Sequence, residues 1–273
     1  MIGTAQPLLE ISDLTMRFGG IVALQGLSLT VHSGEIVGLI GPNGAGKTTV
    51  FNCISRFYTP NRGTIRFAGH DITRTAPHRV IRQGIARTFQ NVELCRSMTT
   101  LENLLVGQHT TFRGGILSDG LRLPGLRRRE AAARAWADEV MRDLELLPYR
   151  DRVVATLPFG VQKTVELARA VVSRPTLVLL DEPAAGADTQ ETGALTDLIR
   201  HIQQRFKLSL LLVEHDMSLV MGLCDRLYVL DFGKLIAEGA PAEIQRNPAV
   251  IEAYLGEVTT EQGNKRTKEQ TRT

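Results

Sequence analysis

The sequence predicts an α/β fold, in which helices cover both faces of a sheet. Two observations carry this prediction. Short apolar runs alternate with longer amphipathic stretches along the chain, and some runs are apolar at every position, as in Leu177–Leu180 and Leu210–Val213. Because a strand with both faces covered needs no polar face, unbroken apolarity indicates a strand buried between helices.

The predicted strands follow from the positions of these apolar runs. A separate segment, Gly63–Phe67, alternates polar and apolar residues and therefore predicts a half-exposed antiparallel strand. The turn-like Asp231–Gly233 separates the last predicted strand from another short one at Leu235–Ala237. The runs predicted as strands are Leu8–Met16, Leu27–Val31, Glu35–Ile40, Leu177–Leu180, Leu208–Val213 and Leu227–Leu230.

Helices are predicted between the strands, and the region of about 91–159 is predicted to be mainly helical. In that region Thr99 and Glu102 have the spacing of a capping box. Gly and Pro residues predict a loop at Arg113–Gly125, and the polar composition after Gly256 predicts a disordered tail at 257–273. Helices are predicted after Lys47, near Pro77, over Arg127–Leu147 with its end set by Pro148, over Gln162–Val172 and over Gln190–Gln204.

The net charge of the 273-residue chain is +3, which is too small to indicate nucleic-acid binding by bulk charge. The basic residues concentrate in two segments, Phe112–Arg134 and Glu261–Thr273, which are interpreted as solvated stretches. The chain has 3 Cys without a C-x-x-C pair, which favours a reducing compartment and buried thiols. We find no signal peptide and no membrane-spanning run, so we expect a cytosolic chain whose membrane role requires a partner.

A glycine-rich segment carries the clearest chemistry. Gly41–Thr48 fits the pattern G-x-x-x-x-G-K-[ST], and it follows an apolar strand and precedes a helix. Glycines allow the backbone to wrap an anion, and the N–H groups at the helix start then face phosphates. In this pattern Lys47 supplies a point charge to the β and γ phosphates, and the hydroxyl of Thr48 can bind Mg²⁺.

Acidic residues end the apolar strand Leu177–Leu180. Asp181 would hold Mg²⁺ through water, and Glu182 could act as the general base that activates the attacking water. His215 follows the next apolar strand, and we expect it at the same sheet edge, in contact with a γ-phosphate. A metal site made by Glu214, His215 and Asp216 is disfavoured, since neighbouring strand residues point to opposite faces.

Two further short motifs receive different interpretations. Gln90 could bind Mg²⁺ or orient water without adding charge, although alone it is indistinguishable from a surface residue. Asp231–Gly233 spells the metal-binding tripeptide of protein kinases, but no H-R-D-type loop precedes it, so we interpret it as a turn.

Taken in order, these motifs resemble the ATP-binding cassette of ABC transporters over Leu8 to about Gly256. The resemblance implies a P-loop NTPase (RecA-like) core at about 8–90 and 160–256, with an antiparallel β subdomain and an inserted helical subdomain at about 91–159. It implies roles for Gln90 as the Q-loop, for Glu182 as the catalytic glutamate and for His215 as the switch histidine, and places Phe18 where an aromatic ring stacks on adenine. The implied ATP-binding residues are Phe18, Gly41, Pro42, Asn43, Gly44, Ala45, Gly46, Lys47, Thr48, Thr49 and Gly160; the implied Mg²⁺ ligands are Thr48, Gln90 and Asp181.

The signature motif of the family, L-S-G-G-Q, is altered here to Leu157-Pro158-Phe159-Gly160-Val161. Pro158 replaces the serine whose hydroxyl would contact the γ-phosphate, and Val161 replaces the glutamine. The N–H groups at Gly160 and the dipole of the following helix could still receive that phosphate. A nucleotide-binding module with little hydrolysis is therefore an alternative.

Within the family, the chain resembles the LivG type of ATP-binding subunit of branched-chain amino acid importers, on Arg87–Asn91, Glu182–Gly186, Glu214–Met217 and Ala253–Gly256. The resemblance implies a second cassette in a homo- or heterodimer, integral membrane permease subunits, and indirectly a solute-binding protein. It implies a peripheral location at the cytoplasmic face of the inner membrane, with residues of about Asn91–Arg96 receiving a helix of the membrane partner.

Other functions stay open at this point. Related cassettes serve amides, urea, aromatic acids or lipopolysaccharide export. A soluble cassette that acts on nucleic acid has support only from Arg127–Arg129, and it is disfavoured because such proteins usually fuse two cassettes, whereas one phosphate loop occurs here. A role of the same basic residues near anionic lipid headgroups is a further hypothesis. A GTPase is disfavoured, since no suitably placed N-K-x-D motif follows the phosphate loop.

Overall fold

The structure is a computed structural model of the chain, and it describes residues 6–88, 94–108 and 124–254, with the backbone alone at 124–127. The predicted disordered tail lies outside these residues, as does the predicted loop Arg113–Gly125 up to position 123. Strands occupy β1 (Leu9–Phe18), β2 (Ile21–Val31), β3 (Ile36–Ile40), β4 (Arg62–Phe67), β5 (His70–Asp71), β6 (Ile85–Arg87), β7 (Leu177–Asp181), β8 (Ser209–Val213), β9 (Arg226–Asp231) and β10 (Lys234–Gly239).

Helices alternate with these strands, which is the arrangement expected of an α/β fold. Short 3₁₀ turns lie at Ile81–Gln83, Leu147–Tyr149 and Val154–Thr156, and the chain is helical again over 248–254. The α-helices are α1 (Lys47–Ile54), α2 (Pro77–Val80), α3 (Thr100–Gly107), α4 (Pro124–Asp143), α5 (Phe159–Val171), α6 (Thr189–Phe206), α7 (Met217–Leu223) and α8 (Pro241–Ile244).

The sequence predictions were wrong at both ends of α4. The helix begins at Pro124, within the predicted loop, and it ends at Asp143 rather than at Pro148. Its end is a Schellman motif, because Glu145 takes a left-handed φ of 56° and the N–H of Leu146 donates to the carbonyl of Met141 at 2.7 Å. A helix can thus end on local backbone hydrogen bonds several residues before a proline is reached.

Other boundaries also differ from the predictions. β2 begins at Ile21 instead of Leu27, because Gly19 and Gly20 form a two-residue hairpin turn that pairs Phe18 with Ile21. Helix α5 begins at Phe159 instead of Gln162, since Pro158 takes the position just before the helix. Strands β5 and β6 and helices α7 and α8 were not predicted from the sequence.

The chain divides into two compact units, of which unit 1 comprises residues 1–77 and 184–273. Unit 1 contains an antiparallel sheet in the order β2-β1-β4-β5, which confirms the predicted antiparallel strand at β4. It also contains β8-β3-β9-β10, where β3 is parallel to both β8 and β9. Every residue of β3 and β8 is buried, as the apolar runs Ile36–Ile40 and Leu210–Val213 within them predict.

One arginine joins several strands of unit 1. The guanidinium of Arg226 on β9 contacts both carboxylate oxygens of Glu35, at 2.8 and 3.0 Å, and also the carboxylate of Glu238 at 2.6 Å. The same side chain donates to the carbonyl of Thr30 on β2 at 3.0 Å. Arg226 therefore connects β2, the start of β3, β9 and β10.

Unit 2 comprises His78–Pro183 and contains the parallel pair β6–β7 with helices α3, α4 and α5. Its helices lie close together: a Cβ at Gly107 of α3 would lie 2.5 Å from the carbonyl oxygen of Arg169 on α5. The indole of Trp136 on α4 donates to the carbonyl of Val172 at 3.1 Å. The capping box predicted at Thr99 and Glu102 is present at the start of α3.

In the part of the chain that the structure describes, no helix has both the length and the apolarity needed to cross a membrane.

Candidate functional site

The glycine-rich segment lies in unit 1, where it connects the buried strand β3 to helix α1. Gly41 has a φ of 147° and Gly46 a φ of 103°, both in the region that glycine favours. A Cβ at Gly41 would overlap the carbonyl oxygen of Leu230, and one at Gly46 would lie 2.7 Å from the carbonyl oxygen of Ala23. These glycines are required because the loop passes so close to other backbone.

The side chain of Lys47 is buried and folds over its own loop. Its Nζ donates to the carbonyl oxygens of Gly41, at 2.5 Å, and Pro42, at 2.9 Å. The ammonium is thus held at the centre of the turn, where an anion in the loop would meet a positive charge. Asn43, Gly44 and Thr48 are exposed around it, whereas Ala45 is buried and Thr49 is half-buried.

Open space exists above this loop. Gly44 has a φ of 79°, and a Cβ placed there would meet no atom within 4 Å. The backbone at Gly44 therefore faces open space, and a glycine-rich loop at the start of a helix is suited to receive a phosphate. The hydroxyl of Thr48, exposed at the start of α1, is an oxygen donor of the kind that Mg²⁺ prefers.

The turn Asp231–Gly233 supports the phosphate loop from outside. The N–H of Gly233 donates to the carbonyl of Ala45 at 3.0 Å, and its own carbonyl accepts from the N–H of Gln25 at 2.8 Å. Phe232, with a φ of 41°, is exposed at the tip of the turn. The interpretation of these residues as a turn is confirmed, but their contact with the phosphate loop was not predicted.

Phe18 ends β1 in the same unit as the phosphate loop and is exposed. Its ring meets the ring of Tyr58 edge to face, with centroids 5.0 Å apart and an angle of 74°. Edge-to-face contact fixes the orientation of the Phe18 ring while leaving ring surface for stacking.

In unit 2, Asp181 ends β7 beside an arginine on the neighbouring strand. The Nη2 of Arg87 lies 2.6 Å from Oδ2 of Asp181, and the two side chains are only 11% and 5% exposed. The guanidinium of Arg87 compensates for part of the cost of burying this carboxylate. The Asp181 carboxylate is a hard oxygen ligand, which fits Mg²⁺, and Arg87 is a neighbour that the sequence analysis missed.

Glu182 follows directly and has a φ of 46°, which is uncommon for a residue with a side chain. It is half-buried. Residues held in this region of backbone space concentrate at functional sites, where the surrounding structure compensates for the strain.

His215 lies in unit 1, two residues after the buried strand β8, as predicted. Its neighbour Glu214 is fully buried, and one of the Glu214 oxygens lies 3.3 Å from Nδ1 of the His215 ring. Asp216 caps helix α7 and accepts from the hydroxyl of Ser218 at 2.7 Å. That hydroxyl, with the N–H groups of Leu219 and Ser218, holds the pKa of Asp216 below its ordinary value.

Gly160 lies in the first turn of α5, in unit 2, and not in the loop before the helix. Pro158 immediately precedes the helix with extended backbone, and its carbonyl accepts from the N–H of Gln162 at 3.0 Å. The N–H groups of Phe159, Gly160 and Val161 therefore belong to the first turn, where N–H groups have no acceptor within the helix.

Gln90 lies outside the described residues, as do residues 89–93 as a whole, so its role stays a prediction. Cys95 and Thr99 follow these residues closely in the sequence and are both bonded to Asn103 on α3. The side chain of Asn103 accepts from the N–H of Cys95 at 2.8 Å and donates to the carbonyl of Thr99 at 2.9 Å.

Burial was predicted for all three cysteines, and the structure confirms it for Cys53 and Cys224. Burial raises the pKa of Cys53 to about 11, and it raises the pKa of Cys224 further. A thiol with a raised pKa is a poor nucleophile. Cys95 is only half-buried.

A glycine-rich loop that joins a buried parallel strand to a helix, with a lysine folded into the loop, defines a P-loop nucleotide-binding protein. The ABC transporter family matches residues 24–185, and the chain belongs to this family. It is thus an ATP-binding cassette of the ATP-hydrolysing class. A second family, described as the branched-chain amino acid ATP-binding cassette transporter, matches residues 234–259.

Individual relatives agree with this family. The high-affinity branched-chain amino acid transport ATP-binding protein LivG of Escherichia coli is 45% identical over 253 residues, which are 93% of this chain and 99% of the relative. The corresponding protein BraF of Pseudomonas aeruginosa is 44% identical over 253 residues, which are again 93% of this chain and 99% of the relative.

Solved structures show the same fold. A crystal structure of the ADP conformation of an ATP-binding cassette of an ABC transporter has a TM-score of 0.80 and 32% identity, covering 93% of this chain and 100% of that one. A nucleotide-free cassette has a TM-score of 0.78 and 31% identity, covering 91% and 99%. The predicted fold class and family are confirmed.

Proposed function

We propose that this chain is the ATP-hydrolysing subunit that energises a membrane importer for branched-chain amino acids. The observation that carries this proposal is the phosphate loop, with Lys47 held at its centre, in a chain that matches branched-chain amino acid cassettes over 93% of its length. The match of residues 234–259 to the branched-chain family supports the same solute class.

The residues of unit 1 would bind the nucleotide. The N–H groups from Gly41 to Thr49 surround the phosphates, and Lys47 turns its ammonium from the loop carbonyls toward the β and γ oxygens. Phe18 offers its exposed ring to adenine. His215, after β8, would contact the γ-phosphate.

The acidic residues of unit 2 would serve the reaction itself. Mg²⁺ neutralises charge on the β and γ phosphates when bound, and Thr48, Asp181 and Gln90 are the residues that would hold it. Glu182 would accept a proton from the attacking water.

The proposed assembly contains more than this chain. A second cassette, the same or different, would bring its own Gly160 segment to the γ-phosphate, using first-turn N–H groups in place of the serine that Pro158 replaces. Integral membrane permease subunits would bind the cassettes at the cytoplasmic face of the inner membrane, and a solute-binding protein would deliver the solute to them. No nucleic acid is expected as a partner.

The direct test uses the complex purified in mild detergent with its membrane subunits. Glu182→Gln keeps ATP binding but lowers ATP turnover by about 100-fold or more, because the general base is lost. The matched control is Glu252→Gln, an exposed glutamate remote from the phosphate loop in sequence, which keeps normal turnover. Unchanged turnover in Glu182→Gln would contradict the general-base assignment.

The solute class is tested by uptake into proteoliposomes that contain the same complex. We expect ATP-dependent uptake of leucine, isoleucine and valine, and loss of that uptake with Glu182→Gln. Uptake of urea, an amide or an aromatic acid with no uptake of leucine would contradict the proposed solute. Salt-sensitive binding of nucleic acid by a chain that does not co-purify with membrane subunits would contradict the transport function itself.

A further inference from the structure

Glu214 has no role in the function proposed so far, yet its carboxylate is one of the most completely enclosed in unit 1. The residue is 0% exposed. One oxygen, Oε1, accepts from the N–H of His215 at 2.8 Å and from the N–H of Asp216 at 3.2 Å. The other, Oε2, accepts from the N–H of Ala184 at 3.1 Å, thirty residues back along the chain.

An ionised carboxylate is suited to this position because it only accepts hydrogen bonds. Burial of a charge is costly unless hydrogen bonds compensate for it, and here backbone N–H groups approach both oxygens. A neutral amide could not replace it, since its NH₂ group would face an N–H donor. The site therefore requires a carboxylate, and it joins two separate backbone segments through that one group.

One of these two segments follows Glu182, the proposed general base, and the other contains His215, the proposed γ-phosphate contact. Ala184 lies two residues after Glu182 and begins the loop that ends at Asp188, the capping residue of α6. On the other side, Nδ1 of His215 lies 3.3 Å from Oε1, while the His215 side chain is 62% exposed. A proton on Nδ1 would lie toward Oε1, whereas a lone pair on Nδ1 would face the lone pairs of that oxygen, so this contact favours the tautomer with the proton on Nδ1.

We propose that Glu214 is a positioning residue, which sets the tautomer and orientation of His215 and ties it to Ala184. This inference rests on the function proposed for His215 and Glu182. The histidine and the backbone that follows the catalytic glutamate are then displaced together, because they share one buried carboxylate. A change at the loop Ala184–Asp188 reaches the γ-phosphate contact through Glu214.

The first test reads the His215 ring directly, in the full chain with ¹⁵N-labelled histidine and without nucleotide. In the wild type we expect the neutral ring of His215, assigned with His215→Asn, to carry its proton on Nδ1. In Glu214→Ala the proton moves predominantly to Nε2. An Nε2–H ring in the wild type, or a tautomer that Glu214→Ala does not change, would overturn the proposal.

The second test distinguishes the hydrogen bonds of Oε1, from His215 and Asp216, from the hydrogen bond of Oε2, from Ala184. In Glu214→Gln the amide oxygen takes the Oε1 position, where more donors converge, so the NH₂ group faces Ala184. Amide hydrogen exchange at Ala184 should then accelerate about tenfold or more, with much smaller changes at His215 and Asp216. Unchanged amide exchange at Ala184 would overturn the proposal that Glu214 ties His215 to Ala184.

The third test uses ATP turnover by the assembled complex. Glu214→Gln should lower kcat about tenfold while the nucleotide Kd stays within about twofold, because the nucleotide-binding loop is intact. Asp225→Asn is the control, since Asp225 also accepts a backbone N–H, that of Ile36 at 2.8 Å, but has no contact with His215 in the described structure. A fall in melting temperature shared by both variants, with kcat unchanged in Glu214→Gln and the His215 tautomer unchanged in Glu214→Ala, would reduce Glu214 to a structural residue.

The His215 tautomer and the amide exchange at Ala184 are measured without nucleotide or membrane subunits. They can therefore contradict the role of Glu214 without contradicting the proposed ATPase function. Conversely, normal turnover in Glu182→Gln would remove the proposed catalytic role without changing the histidine ring or the exchange at Ala184.

Discussion

The phosphate loop of unit 1 and the acidic strand end of unit 2 are built from different atoms. In the loop, backbone carbonyls and N–H groups form the site, and Lys47 is held by carbonyl oxygens of the loop itself. At the end of β7, side chains form the site, and Asp181 depends on Arg87 from another strand. A site made of backbone is sensitive to an added Cβ, whereas a site made of charged side chains is sensitive to the loss of a partner.

The largest effect is expected from adding one carbon atom to the loop. Gly41→Ala places a Cβ against the carbonyl of Leu230 at a φ of 147°, so we expect a loss of about 4 kcal/mol or more in unfolding free energy, or failure to fold. Gly44→Ala is the matched control, because its Cβ meets open space and only its φ of 79° is unfavourable. We expect a loss of about 1 kcal/mol there, measured by urea unfolding. Equal losses for the two variants would contradict this account of the loop.

The next effect concerns the buried ion pair of unit 2. Arg87→Met leaves the Asp181 carboxylate without its guanidinium, which should cost about 3 kcal/mol in unfolding free energy. Arg62→Met is the control, since Arg62 and Asp13 form a pair whose side chains are 76% and 53% exposed, and its loss should cost less than about 1 kcal/mol.

A double variant sharpens this test of the pair. Adding Asp181→Asn to Arg87→Met removes the uncompensated charge and should restore part of the stability, as calorimetry of the single and double variants would show. Additive losses would mean that Arg87 stabilises unit 2 independently of Asp181.

The smallest effect concerns an ion pair of unit 1 and depends on pH. Burial raises the pKa of Glu35, but the hydrogen bonds from Arg226 and from the N–H of His32 lower it more, so its pKa lies below the ordinary value of 4.5. A lowered pKa in the folded state gives stability that is present above about pH 4.5 and is lost as the pH falls through the folded pKa.

Arg226→Met should therefore reduce the loss of stability between about pH 5 and pH 3, by about 1 kcal/mol or less. The measurement is the melting temperature across that range, for the wild type and the variant. An unchanged slope would show that the Glu35–Arg226 pair carries no pH dependence.

The same difference between backbone and side-chain contacts explains which parts of the fold and the site could be predicted from the sequence. The phosphate loop could be predicted because closely packed backbone requires glycine, and that requirement appears in the order of residues from Gly41 to Thr48. The buried strands could be predicted because a strand covered on both faces carries an unbroken apolar run, as β3 does and as β7 and β8 do apart from Asp181 and Ser209 at their ends.

Residues that act through distant partners could not be predicted. Arg87 and Asp181 are far apart in the sequence, and only the pairing of β6 with β7 brings them together. Glu214 stands beside His215, which was a signal that could have been used, but its contact with Ala184 depends on the fold. The end of α4 was missed because Glu145 takes a left-handed conformation without being glycine.

The contact of Gly233 with Ala45 has a consequence for the synthesis of the protein. Two neighbours of the phosphate loop, the carbonyl of Leu230 and the N–H of Gly233, belong to residues that are translated long after the loop itself. At roughly 5–20 residues per second, the ribosome adds these residues on the order of ten seconds or more after the loop has been made. During that interval the nascent loop lacks the backbone that encloses it, so nucleotide can stabilise the protein only after Leu230 and Gly233 have been added.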